Sequence, residues 1–211
     1  MTRVLVVDDH PIVLQACHRM LQDAGIKDVI EARDTESGYR LYLSGRPEVV
    51  IIDLGIQDEG LGGLDLIRRI SAQSPQVHIL VFSMHSDPAI VARALQAGAL
   101  GYVVKDSSPE NFMEAFENVR AGKPFLSGTL AIQVTLANLP TRQSPLAELT
   151  PRELQTLSLL AEGKPYGRIA EQLNVSYKTV VNLSSQLKQK LDARNLPELI
   201  RTAVQLVSTP G

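Results

Sequence analysis

Three unbroken apolar runs, Val4–Val7 (VLVV), Val49–Ile52 (VVII) and Ile79–Phe82 (ILVF), constrain this chain more than any other feature. A strand with one wet face alternates apolar and polar residues, whereas a continuous β-branched run fits a strand covered on both faces, as in a parallel sheet. Two further candidates, Asp28–Glu31 and Gly101–Val104, bring the strands to five. Helix-period segments separate them: Pro11–Ala24, Thr35–Ser44, Leu64–Ser74, Pro88–Ala97 and, after the last strand, Pro109–Ala121. Pro11, Pro88 and Pro109 stand at first-turn positions, with Asp87 and Ser108 as caps; Gly25, Gly98 and Gly122 mark stops. Five βα units predict an α/β domain with a doubly wound five-stranded parallel sheet, whose chemistry collects at the carboxyl ends of the strands.

The pattern changes after Gly122. Pro124, Gly128, Pro140 and Pro145 among Ser and Thr predict a linker over 123–148, with a short helix at Leu130–Leu139. From Leu149 the pattern is all helical: Pro151–Glu162, Tyr166–Leu173, Tyr177–Leu191 and Leu196–Val207. The domains expected are therefore 1–122, 123–148 as linker, and a small all-α four-helix domain over 149–211. Charge divides the same way. Residues 1–126 carry 12 Lys+Arg against 17 Asp+Glu, and residues 149–211 carry 8 against 5, which suggests different partners for the two parts. A 44% hydrophobic composition argues against general disorder. No apolar run approaches the ~20 residues of a membrane span. The Val4–Val7 run, with Asp8-Asp9 after it, is too short for a secretory leader. A lone Cys17 cannot pair internally, so the expected compartment is the cytoplasm, with no membrane partner.

The strand ends present Asp8-Asp9, Asp53, Ser83 and Lys105. With the first strand beside the third, three carboxylates converge. Two carboxylates ~4 Å apart repel by about 4 kcal/mol at an effective dielectric near 20, so the group calls for a cation. Hard oxygen ligands suit Mg²⁺. A carboxylate beside it can attack a phosphoryl donor, while Ser83 donates to the phosphoryl oxygens and Lys105 neutralises them. Cys17, at helical spacing from Val13 and Leu21, reads as a buried thiol. His10 follows the acidic pair in a solvated or structural role, and His78 and His85 have no ligand spacing.

The run VLVVDDHP, then VVIIDLG, ILVFS and GALGYVVKD, resembles the receiver domain of NarL/FixJ-type two-component response regulators over about the first 125 residues, one domain's length. The resemblance implies a flavodoxin-like fold with Asp53 as phosphoacceptor and a sensor histidine kinase as donor. It implies Mg²⁺ held by Asp8, Asp9, Asp53 and the Gly55 carbonyl, Ser83 and Tyr102 as switch residues, and Lys105 as ion partner. Two departures stand out: Gln57 where the family has Pro, and a Gly-Leu pair (Gly63-Leu64) two residues late, which implies an insertion in Gln57–Gly62. Asp58 and Glu59 add negative charge there, and Gly60, Gly62 and Gly63 make the segment permissive.

In the second part, Thr150, Pro151 and Glu153 spell a capping box. Ile169–Leu173, a turn at Asn174 and a cap at Ser176 lead into Tyr177–Leu191, whose Val180, Ser184, Leu187 and Leu191 form one inward stripe. LTPRELQTLSLLAEG…IAEQLNVSYKTV…QKL resembles the LuxR-type helix-turn-helix domain. By that likeness Tyr177–Leu191 is a recognition helix for double-stranded DNA, with Lys178, Thr179, Val181, Asn182, Ser185, Lys188 and Lys190 as contacts, and Leu196–Val207 serves an active homodimer. Val181, Asn182 and Leu183 replace the common Lys-x-His. Asn182 suits adenine and Val181 a thymine methyl or a protein. The whole reads as a transcriptional regulator rather than an enzyme. The alternatives are a receiver that signals without phosphate through a ligand or partner, a helical domain that dimerises or binds protein, and a Mg²⁺-dependent aspartyl phosphatase.

Overall fold

The computed structural model describes residues 2–56, 61–137 and 145–207. Strands β1 (Arg3–Val7), β2 (Asp28–Ala32), β3 (Val49–Ile52), β4 (His78–Ser83) and β5 (Gly101–Val104) alternate with helices α1 (Pro11–Asp23), α2 (Thr35–Gly45), α3 (Gly62–Gln73), α4 (Pro88–Ala97) and α5 (Pro109–Arg120). All pairings are parallel, in the order β2-β1-β3-β4-β5-β6. The sixth strand, β6 (Phe125–Leu126), corrects the five-stranded expectation. Two residues are too few to show a period, and they pair only with Gly101 and Tyr102 at the sheet edge.

The capping signals act as the sequence suggests. Asp87 accepts from the Ala89 amide, Ser108 from the Asn111 amide, and Gly98 turns left-handed to end α4. Helix α3 starts at Gly62, two residues before the expected Leu64. Gly63 matters there for space rather than for freedom: a Cβ on it would strike the Asp53 carbonyl, and its amide donates to the Leu54 carbonyl at 3.1 Å. The absence of a side chain thus seats the first turn of α3 directly on the end of β3. Gln57, Asp58, Glu59 and Gly60 of the expected insertion lie outside the described residues.

Each sheet face has its own core. Leu14, Cys17 and Leu21 of α1 and Phe112, Phe116 and Val119 of α5 cover one side. On the other, Leu66, Ile67 and Ile70 of α3 and Ile90, Val91 and Ala94 of α4 pack on Leu5, Val50, Ile52 and Val81. This second core does not stop at the sheet. It runs through Leu130 of α6 (Gly128–Ala137), then Leu146 of a 3₁₀ turn (Pro145–Glu148) and Leu149, into the helical unit. Asn138 and Leu139 of the expected linker helix lie outside the described residues; the helix itself begins two residues earlier than Leu130.

The helical unit comprises α7 (Pro151–Ala161), α8 (Tyr166–Gln172), α9 (Tyr177–Lys190) and α10 (Leu196–Val207). The Thr150–Glu153 capping box is present in both directions. Between α8 and α9, Asn174 takes a left-handed φ of 50°, which lets a short turn reverse the chain. Among the described residues, no helix is long and apolar enough to cross a membrane.

Candidate functional site

The ends of β1, β3, β4 and β5 converge because Val7 pairs with Ile52, Ile52 with Val81 and Ser83 with Val104. Each functional side chain sits at or just past one of these registers. Asp8, Asp9, His10 and Asp53 each bring one ligand-type atom to within 4.8 Å of the others. The Lys105 ammonium lies between two of them, 2.7 Å from Asp8 Oδ2 and 2.8 Å from Asp53 Oδ2. All three side chains are almost wholly buried, so water screens little of this interaction.

Electrostatics follow from that burial. Asp8 is pushed above the ordinary carboxylate range, mainly because burial disfavours its charge, with the hydrogen bond from Lys105 acting against it. Burial alone would lower Lys105, but Asp53 and Asp8 outweigh it and hold the ammonium above its usual value. The Asp53 Oδ1 oxygen is buried and has no hydrogen-bond partner among the described residues. Ser83 Oγ is buried too, with no hydrogen bond of good geometry among them. Gly55 adjoins the carboxylate: a Cβ there would lie 3.8 Å from Asp53 Oδ2. Tyr102 is fully buried, and its hydroxyl donates to the His85 carbonyl at 2.7 Å. His10 stands at the exposed rim, its Nδ1 2.8 Å from Asp9 Oδ1 and 3.3 Å from Asp8 Oδ1.

The second candidate surface is α9. Val180, Ser184 and Leu187 are buried and Leu191 is half-buried, while Lys178, Asn182 and Ser185 are exposed and Val181 and Lys188 half-buried, the facing expected from the sequence. Gln186, absent from the candidate contacts, is exposed as well; its place next to Ser185 was the available signal. Thr179 is partly committed to the helix start, its hydroxyl 2.8 Å from Ser176 Oγ. Lys190 has a partner that the sequence does not signal. Its ammonium lies 2.7 Å from buried Glu153 and 3.2 Å from the Glu148 carbonyl, tying α9 to the start of α7. Burial would raise Glu153, yet the bonds from Lys190 and Thr150 hold it below the usual carboxylate range. A Lys in the last turn of a recognition helix and a Glu in a capping box each have a local explanation, and only the fold shows that they meet.

His85 was also missed. Its ring bridges the β4 end and the last turn of α10, Nδ1 lying 3.1 Å from the Val207 carbonyl. A position two residues past the strand-end Ser83 was the one hint in the sequence.

The chain matches two families. Residues 4–117 match the response regulator receiver domain, and residues 147–203 match the bacterial regulatory proteins of the luxR family. Among relatives, the methanol utilization control regulatory protein MoxX of Paracoccus denitrificans is 36% identical, over 94% of this chain and 89% of that protein. The response regulator UvrY of Escherichia coli K12 is 33% identical, over 97% and 94%. Among solved structures, RcsB from Salmonella enterica serovar Typhimurium, bound to promoter P1flhDC in the presence of phosphomimetic BeF3-, superposes with a TM-score of 0.76 at 26% identity, covering 97% of this chain and 98% of that one. With a carboxylate cluster clasping a lysine at one end of the sheet and a helix-turn-helix unit behind it, this chain belongs to the response regulators that join a receiver domain to a LuxR-type DNA-binding domain.

Proposed function

We propose that Asp53 accepts a phosphoryl group from a sensor histidine kinase in the cytoplasm, and that the modified chain, as a homodimer, binds double-stranded DNA through α9 to regulate transcription. One observation carries this reading. A buried carboxylate has one oxygen clasped by Lys105 and the other, Oδ1, with no hydrogen-bond partner among the described residues. An unpaired buried anionic oxygen costs several kcal/mol in order of magnitude, so its retention points to a use beyond stability.

The residues fit Mg²⁺. Asp8, Asp9, Asp53 and the Gly55 carbonyl supply hard oxygens, and three carboxylates against one ammonium leave two negative charges, which a divalent ion balances. When bound, Mg²⁺ supplies charge neutralisation at the donor's phosphoryl oxygens. The chain's own residues do the rest. An Asp53 oxygen attacks phosphorus, the P–O or P–N bond to the donor breaks, and the donor leaves with that electron pair, giving an acyl phosphate. Lys105, freed from one carboxylate oxygen, pairs with the new phosphoryl oxygens, and Ser83 donates its hydroxyl hydrogen to another.

On the DNA side, Lys178 and Lys188 contact phosphates and Asn182 presents an amide for adenine, with Thr179, Val181 and Ser185 lining the same face. The receiver spans 1–122 and the DNA-binding unit 149–211. The test is incubation of the whole chain with Mg²⁺ and acetyl phosphate, followed by intact mass. A gain of one phosphoryl group in the native chain, absent in Asp53→Asn, is expected. Equal labelling of the two would end this assignment.

A further inference from the structure

Among the described residues, Tyr177 is the one aromatic side chain left largely in water, at 60% exposure. It opens α9 directly after the cap Ser176, whose hydroxyl accepts from the Thr179 amide. Its ring does not hang free. It meets Tyr166, the first residue of α8, edge to face, with 6.0 Å between centroids and 60° between planes. Tyr166 is anchored in turn, its hydroxyl sharing a hydrogen bond with the buried Ser184 hydroxyl of α9. The chain of contacts leaves α9 at Tyr177 and returns to it at Ser184, which fixes the ring relative to its own helix. Val181, half-buried, stands one turn on from Tyr177 along the same side. Polar contacts between the sheet unit and the helical unit lie elsewhere. Gln155 of α7 donates to Asp65 of α3 at 2.7 Å, and the Arg93 guanidinium of α4 to the carbonyls of Leu146, at 3.0 Å, and Leu149. The third joins the His85 ring to the Val207 carbonyl. None of these three involves α9.

We propose that Tyr177 is a specificity-determining residue of α9, its ring packing on the C5 methyl of a thymine in the major groove. The proposal rests on α9 being the helix that enters DNA. A recognition helix brings its N-terminal residues to the base edges, and Tyr177 is the first residue of α9. Every base pair offers hydrogen-bonding groups along that groove, but the thymine methyl is its one apolar group. An exposed aromatic ring at this end of the helix therefore has a single chemical match among the base edges. Val181, one turn on, extends the same apolar strip. Rigidity adds to the match. A ring already held by Tyr166 loses little freedom on contact, so more of the contact appears as discrimination between sequences. A contact through the Tyr177 hydroxyl would go instead to a phosphate and read no base, and experiment separates the two.

The whole chain, with Mg²⁺ and acetyl phosphate present, is used to select duplexes from a random-sequence pool. Each thymine of a selected duplex is then replaced singly by deoxyuridine, which pairs alike but lacks the methyl group. Affinities are measured for the native chain, Tyr177→Ala, Tyr177→Phe and Val181→Ala. At one thymine of each half-site, deoxyuridine should weaken the native chain and Tyr177→Phe about four-fold, the effect of one buried methyl group, and leave Tyr177→Ala unaffected. Val181→Ala should keep the native response at that thymine. Tyr177→Ala should still bind the unmodified duplex, with an unchanged salt slope, because no charge is lost. The inference alone is overturned if no thymine distinguishes Tyr177→Ala from the native chain, or if Tyr177→Phe behaves like Tyr177→Ala. It is overturned equally if the coupling belongs to Val181, or if Tyr177→Ala no longer binds at all, which would mark the ring as structural. A native chain that enriches no duplex from the pool overturns the DNA-binding reading and this inference with it.

Discussion

Replacing Lys105 with Met tests whether the acidic site is held together by charge. The change keeps length and removes the ammonium that sits 2.7 Å from Asp8 and 2.8 Å from Asp53. What remains is a pair of buried carboxylates whose oxygens approach within 4.8 Å. Their repulsion is about 3.5 kcal/mol at an effective dielectric of about 20. Removing one partner of a buried ion pair generally costs about 3–5 kcal/mol, so the two routes agree. Spread over the receiver, a loss of about 3 kcal/mol lowers Tm by roughly 10–15 °C at about pH 7.5 without metal. The pH dependence carries the sign. Asp8 is raised by burial even with Lys105 present, so the folded state binds its proton more tightly than the unfolded chain does. That burden is fully felt above the folded pKa and is relieved as pH falls through it. Without Lys105 the burden grows, so the deficit of the variant should be largest near neutrality and shrink as pH falls through the raised pKa of Asp8. Mg²⁺ should narrow it too, because the site without the Lys105 ammonium carries one more net negative charge and binds the ion more tightly than the native site, and tighter binding to the folded state adds more stability. Urea or thermal unfolding across roughly pH 4–8, with and without Mg²⁺, measures all three. A loss under about 0.5 kcal/mol that ignores both pH and Mg²⁺ would refute the electrostatic account of the site.

Other outcomes follow from single contacts. Lys178→Ala should weaken DNA binding at every sequence and reduce the slope of log K against log salt by about 1, whereas Lys190→Met should leave that slope unchanged, since its ammonium is spent on Glu153. The same Lys190→Met should destabilise the helical unit by about 1–3 kcal/mol in chemical denaturation, because buried Glu153 loses a charged partner. Thr150→Ala should cost about 1 kcal/mol by removing half of the capping box. Cys17 is fully buried and its thiol pushed up to about 12, by burial first and by Asp8 next, so iodoacetamide at about pH 8 should modify it only after unfolding.

The residues that were legible in the sequence share one property: their signal is local. Val49–Ile52 is buried at every position and announces a doubly covered strand by composition alone. Thr150 and Glu153 sit three apart, so their reciprocal bonds can be read without the rest of the chain. Asp8, Asp53, Ser83 and Lys105 lie far apart in sequence, yet the rule that α/β chemistry gathers at strand ends locates each beside its own apolar run. What the sequence does not signal are pairings between distant segments. Nothing near Lys190 in sequence signals Glu153, and nothing near His85 signals Val207. The glycines after Asp53 suggest a loosened loop, but at Gly63 the reason is contact with the β3 end, which no local pattern encodes.

The two units are joined by a boundary of moderate strength, and that strength decides what a phosphoryl group can do. Its polar part includes three contacts, each contributing about 1 kcal/mol net, alongside the apolar seam of Ala94, Leu130, Leu146 and Leu149. Fusing the two cores through that seam keeps the units adjacent, so separation into free domains is disfavoured at rest. Moving an equilibrium from mostly closed to mostly open takes several kcal/mol of differential binding, more than one hydrogen bond provides. Loss of any one of these contacts alone therefore leaves the units together. A full response needs a second contribution, and under the proposed dimerisation a second copy of the chain would supply it in proportion to its concentration. Separation of the units, read from solution scattering, should accordingly grow as the labelled chain is concentrated. Separation that is complete on labelling at the lowest concentration would show that the seam is weaker than its buried leucines imply.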